Sequence, residues 1–204
     1  MKKYAAEGLG TFFLVLALGL TSDPIAIALV LIALLYVCIH ISDAHLNPGI
    51  SLAAWVRGKI TMSELFGYTG SQFGGAVAGA GLCWLIAGTT YYSAPDAQTG
   101  TFQFIAVEML FSLLFYTVFL CMIYPSTRRR SPVFGLIAGI AFGGCLMISE
   151  PIAGFGLNPA SASAFALFDL LNHGSAYQYL PVYILAPGVA GFIAAFLHKQ
   201  IIGD

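Results

Sequence analysis

Six apolar stretches, about 4–22, 25–42, 62–88, 102–124, 132–150 and 178–198, run through this chain. Each is close to the roughly 20 helical residues that cross a hydrocarbon core of about 30 Å. One soluble core cannot hide all six. Charged residues are only 8% of the 204 positions and AVILMFWYC residues are 59%, whereas soluble chains are roughly a quarter charged. The reading is an all-α membrane protein. A net charge of −1 gives no electrostatic case for nucleic acid, and the hydrophobicity excludes intrinsic disorder. Turn residues or charges break the stretches at Ser22-Asp23-Pro24, Pro95-Asp96, Arg128-Arg129-Arg130 and Asn172-His173-Gly174. Two further apolar pieces, 48–56 and 159–168, are too short to span.

The basic residues Lys2, Lys3, Arg57, Lys59, Arg128, Arg129, Arg130 and Lys199 all fall on one side of six alternating spans. By the positive-inside rule that side is the cytoplasm, so both termini are cytoplasmic, in a plasma or bacterial inner membrane. Arg128 to Arg130 read most simply as a topology signal. Lys2-Lys3 before an apolar run imitates a signal peptide. Glu7 interrupts that run and the helical pattern continues past Gly19, so the segment reads as an uncleaved first span.

The chain repeats at about half its length, within a single transmembrane domain covering 1–204. YAAEGLGTFFLV (4–15) resembles FIAVEMLFSLLF (104–115), which pairs Glu7 with Glu108. HLNPGISLAAW (45–55) matches GLNPASASAFA (156–166). Each repeat, about 1–88 and 102–204, carries three spans. An odd number inserts the second copy upside down, the inverted-repeat plan of membrane transport folds.

The short pieces then acquire a purpose. At about 1.5 Å per residue they extend roughly 13 and 15 Å, together one bilayer thickness. Each starts with Asn-Pro: Asn47-Pro48 and Asn158-Pro159 combine an N-cap with proline at the first helical position. Arg57 and Gly58 supply cation and C-cap chemistry at the far end of the first. Two re-entrant half-helices therefore point their positive N-terminal ends at each other near the midplane. The Asn side-chain oxygens act as caps, leaving amide N–H groups to donate into the space between. Such a site repels cations and attracts the oxygen of a neutral molecule.

AHLNPG and GLNPA, half a chain apart within six spans, resemble the paired Asn-Pro-Ala boxes of the aquaporin (major intrinsic protein) family, and HISDAHLNP is similar to the family's first box. The resemblance covers essentially the whole chain. It implies six transmembrane helices plus two half-helices, a homotetramer in membrane lipid, and a pore for water or small neutral solutes through each subunit.

The chain departs from the family pattern at several places. Gly49 ends the first box in place of Ala, and Ser161 stands where the second box normally continues with Arg. The family's outer constriction maps to Ile27, Leu146, Phe155 and Ser161, an apolar collar with one hydroxyl. Asp43 replaces a usual Gly and either caps its loop or shapes a cytoplasmic gate. His45 matches the family's His, read as support for the loop. His40 is either a vestibule residue or an interfacial histidine.

Carboxylates within spans are costly. Glu7 and Glu108 read as acceptors for the backbone of the re-entrant segments, and Glu150 as a solvated residue. Gly74, Gly75, Gly79, Gly188 and Gly191 suit close helix packing. Tyr91, Tyr92, Tyr177 and Tyr179 read as aromatic belt. Cys38, Cys83, Cys121 and Cys145 form no CxxC and read as free thiols, with no metal site or cofactor implied. No nucleophile and base motif suggests an enzyme. Besides a water channel, the sequence leaves open a channel for less polar solutes such as hydrogen peroxide, ammonia or a gas, and a non-conducting structural member of the fold.

Overall fold

Eight α-helices and one 3-10 turn make up residues 1–125 and 131–203, the part that the computed structural model describes. The helices are α1 (Lys2–Leu20), α2 (Pro24–Cys38), α3 (Pro48–Val56), α4 (Met62–Ala87), α5 (Thr101–Ile123), α6 (Phe134–Ala153), α7 (Pro159–Leu171) and α8 (Leu180–Ile202). The turn Ala176–Tyr179 leads into α8. No strand occurs among the described residues. Arg128 to Arg130 lie outside them, and so does any test of their reading as a topology signal.

The apolar stretches become helices with small shifts at their ends. α2 is shorter than the stretch 25–42, because the chain turns at Ile39, where the polar run His40, Ser42, Asp43 begins. Its 15 residues reach roughly 22 Å; α1, α4, α5, α6 and the Ala176–Ile202 unit are long and apolar enough to cross a membrane. α6 runs on through Pro151 to Ala153, ending at Gly154 with φ +69°. α7 extends to Leu171, three residues past the apolar run.

Each span presents one face inward. Glu7, Gly10, Thr11, Leu14 and Leu18 are buried along α1 at the three-and-four spacing of a helix face, while Leu9, Phe13 and Leu20 face out. Outward Leu29, Phe66, Leu85, Ile140, Leu185 and Phe196 continue the same coat. So large an apolar exterior is stable only in lipid, and the protein is an integral membrane protein.

Close packing relies on glycine where backbones meet. A Cβ on Gly75 would sit 2.0 Å from the Gly8 carbonyl oxygen, and one on Gly79 would sit 2.5 Å from that of Phe12. This joins α1 to α4. A Cβ on Gly191 would stand 2.9 Å from the Gly49 carbonyl oxygen, where α8 lies against α3. Gly74 and Gly188, expected to act the same way, face open space instead, because they lie on the outward side of their helices.

The two halves interlock. α1 packs on α4 and α5 on α8, while α2 meets α6 across the halves. Half-helix α3 lies mainly against α8 of the other half, and α7 against α4. Each half-helix is thus held by the repeat to which it does not belong, which brings both Asn-Pro starts to one place.

Candidate functional site

Both half-helices begin as their sequences dictate. Asn47 caps α3 by accepting from Gly49 N at 2.8 Å, and Asn158 caps α7 by accepting from Ala160 N at 3.0 Å. Pro48 and Pro159 occupy the first helical position, where no N–H is needed.

The boxes are also cross-linked. Asn47 Nδ2 donates to the Leu157 carbonyl at 2.8 Å, and Asn158 Nδ2 donates to the Leu46 carbonyl at 3.0 Å. The residue before each Asn makes this geometry. Leu46 and Leu157 have φ of +49° and +63°, a left-handed conformation that costs a non-glycine residue about 1 kcal/mol or more. A glutamate pins each one: Leu46 N donates to Glu7 Oε2 at 2.7 Å, and Leu157 N to Glu108 Oε1 at 2.6 Å. With its N–H held, each Leu turns its carbonyl toward the opposite Asn. This corrects one sequence expectation. An Asn amide carries two N–H bonds, and one on each Asn is spent on the clamp, so each Asn keeps a single N–H beyond it.

The two glutamates differ in surroundings. Glu7 collects four donors: Ser42 Oγ (2.8 Å) and His45 N (3.0 Å) on Oε1, Leu46 N (2.7 Å) and Gln72 Nε2 (2.8 Å) on Oε2. Glu108 Oε2 is buried with no hydrogen-bond partner, as are the hydroxyls of Ser112 and Ser149.

On the N-terminal side a chain of hydrogen bonds braces the first box. Gln72 Nε2 also donates to Ser51 Oγ at 3.0 Å, and Ser51 lies 3.1 Å from His45 Nδ1. His45 Nε2 meets Tyr124 Oη at 3.1 Å, and Tyr124 donates to Asp43 Oδ2 at 3.0 Å. His45 and Asp43 therefore belong to one assembly. His40 does not: it is exposed in a separate cleft with Tyr36, Ser131 and Pro132. Gly58 ends α3 with φ +68°, as expected. The Arg57 side chain reaches across to α8, donating to His198 Nδ1 at 2.9 Å and to the Gly203 carbonyl.

On the opposite side, Ile27, Leu146 and Ser161 have no exposed surface, and Phe155 has 3%. Ile27, Leu146 and Phe155 belong to one continuous apolar core. Ser161 Oγ turns back to the Asn158 carbonyl at 2.9 Å. Above Phe155 lies a cavity of about 420 Å³ bordered by Tyr92, Asp96 and Glu150. Glu150 is exposed there, in line with its solvated reading.

Tyr91 departs from the belt expectation. Its ring packs 4.6 Å from that of Phe165 and 6.4 Å from that of Phe155. The loop after α4 folds inward because Ser93 Oγ donates to the Phe155 carbonyl and Asp96 N to that of Ile152. Tyr92 and Tyr177 stay exposed, while Tyr179 packs on Phe104. All four cysteines are free thiols.

Sequence reading missed Gln72, Ser51, Tyr124 and Tyr116. Each carried a signal. Gln72 is a polar amide within a span, and Ser51 stands one turn after Asn47. Tyr116 lies two turns after Glu108 on the same helix face.

Known proteins resemble this chain over almost its whole length. The family described as Major intrinsic protein matches residues 1–198. A probable aquaporin AqpM of Archaeoglobus fulgidus is 31% identical over 205 aligned positions, covering 97% of this chain and 79% of that protein. Aquaporin Z of Photorhabdus laumondii is 25% identical, covering 100% of this chain and 99% of that protein. The crystal structure of the aquaglyceroporin from Plasmodium falciparum superposes with a TM-score of 0.87 at 18% identity, covering 98% of this chain and 96% of that one. The chain belongs to the major intrinsic protein family, and its fold is the aquaporin fold.

Proposed function

We infer that this protein is a passive membrane channel for water and small uncharged solutes, and not an enzyme. The observation that carries this reading is the reciprocal clamp of Asn47 and Asn158 at the opposed starts of α3 and α7. Each Asn offers one remaining N–H, and the two helix ends each contribute about half a positive charge. An oxygen-bearing neutral molecule is welcome there; a cation or hydronium is repelled. Glu7, Glu108 and His45 act as supports of the re-entrant loops.

Ile27, Leu146, Phe155 and Ser161 form the outer constriction. Their near-complete burial supports a collar no wider than about one water molecule, the regime in which apolar walls hold back polar solutes by dewetting. The same walls favour less polar cargo such as hydrogen peroxide or ammonia. The test is a stopped-flow panel of water, glycerol, ammonia and peroxide on purified protein in liposomes. Ser161→Arg places a guanidinium with several donors in the collar. It is expected to reduce passage of every solute larger than water while the protein stays monodisperse. Unchanged permeability to the whole panel would remove Ser161 from the pore wall.

Family resemblance supports a homotetramer in lipid, and the one-sided placement of Lys and Arg supports cytoplasmic termini. An epitope attached after Asp204 is expected to react with antibody only after cells are permeabilised. Labelling of intact cells would reverse the orientation.

A further inference from the structure

Tyr116 is fully buried, and its hydroxyl lies 2.9 Å from the Leu157 carbonyl oxygen and 3.2 Å from Asn47 Oδ1. It reaches that spot because position 49 has no Cβ. A methyl there would stand 2.3 Å from the hydroxyl and 2.6 Å from two ring carbons. Gly49 and Tyr116 are therefore one feature, a small residue exchanged for a large one. The second box is built the other way. Ala160 carries the methyl, and the α1 residue that the repeat pairs with Tyr116, counted from the glutamates, is Val15. The fold thus makes a capped Asn box without any phenol.

We propose that Tyr116 is a positioning residue that fixes the hydrogen-bond polarity of the pore centre, a role that rests on the channel reading above. The Leu157 carbonyl receives Asn47 Nδ2 at 2.8 Å as well as the phenol, which fills both of its lone pairs. Asn47 Oδ1 already holds Gly49 N, and the single phenol proton is shared onto its remaining side. The Leu46 carbonyl, at the equivalent place, receives Asn158 Nδ2 and no second donor among the described residues. Tyr116 thereby closes acceptors beside Asn47, leaving donors to face the solute. A water molecule at the centre accepts from the Asn amides and finds the Leu157 carbonyl and Asn47 Oδ1 already taken, with the free side of the Leu46 carbonyl as the acceptor left to it. It has fewer orientations in which it can donate onward and pass a proton than it has with the phenol removed.

Two variants test this in liposomes, with water flux read by stopped-flow scattering and proton flux by an entrapped pH dye. Tyr116→Phe keeps the ring and deletes only the hydroxyl. Water flux is expected to stay within about twofold, while the proton-to-water flux ratio rises about fivefold, the size of one net hydrogen bond. Gly49→Ala is expected to abolish monodisperse protein or water flux. Adding Tyr116→Val, which copies the second box, is expected to restore water flux and keep the raised proton ratio. If Tyr116→Phe lowers both fluxes in proportion or leaves their ratio unchanged, Tyr116 only packs and the proposal is overturned. Silence of the unmodified protein toward every solute would instead overturn the channel reading on which it stands.

Discussion

Glu7→Gln is expected to destabilise the detergent-solubilised protein by about 2–4 kcal/mol, and Glu108→Gln by about 1 kcal/mol or less. The repeat makes these residues equivalents, yet their surroundings differ. Glu7 receives four donors, two on each oxygen, and two of them are the backbone N–H groups of His45 and Leu46. A glutamine has one acceptor oxygen, so its NH₂ must face one of those N–H groups. Gln72 can turn its own amide and Ser42 its hydroxyl, but a backbone N–H in the left-handed Leu46 or the preceding His45 cannot turn away. A buried donor is then left unsatisfied beside another donor, which is the costly case.

At Glu108 the amide oxygen can keep the Leu157 N–H, and the NH₂ replaces an Oε2 that has no partner. Apparent unfolding midpoints of the two variants, followed by loss of the monodisperse peak on heating, check the order. Equal midpoints would mean that the four donors around Glu7 contribute nothing beyond packing.

Asn158→Asp and Asn47→Asp are expected to raise proton or cation flux about tenfold or more. A carboxylate at the start of either half-helix offsets a potential worth up to about 2 kcal/mol, and tenfold in rate corresponds to roughly 1.4 kcal/mol. The structure adds a difference between the sites. In Asn158→Asp the new oxygen faces the Leu46 carbonyl, acceptor against acceptor. In Asn47→Asp it faces the Leu157 carbonyl, but the Tyr116 hydroxyl donates to that carbonyl and to the other carboxylate oxygen. Asn47→Asp is therefore expected to yield more folded protein. Absence of any proton or sodium conductance in well-folded protein of either variant would refute ion exclusion at the midplane.

Much of this arrangement was legible in the sequence because its parts are local. An apolar run fixes a span and Asn-Pro fixes a half-helix start. Glu7 and Glu108 announce that something inside the membrane needs acceptors. The left-handed Leu46 and Leu157 were not legible, since leucine has no preference for positive φ and takes it here only because tertiary partners hold both its N–H and its carbonyl. The cross-linking of the Asn amides was hidden for the same reason: a side chain's second hydrogen bond depends on the opposite half of the molecule. Gly74 and Gly188 misled because a glycine on the outward face of a helix reads like one on the packed face. Tyr91 misled because a tyrosine near a predicted interface suits the belt equally well until Ser93 and Asp96 tie its loop down. In the sequence Gly49 is only a departure from the family's Ala, and the Tyr116 ring beside it gives the change a physical cause.

The most direct test of a pore through the Asn47 and Asn158 clamp is water permeability per protein molecule in liposomes of known protein density, measured across a range of temperatures by stopped-flow shrinkage. A channel is expected to shrink the vesicles faster than protein-free controls with a weaker temperature dependence, and Phe155→Ala, which opens the collar, is expected to raise the rate further. Shrinkage no faster than the controls for both the unmodified protein and Phe155→Ala would contradict the account.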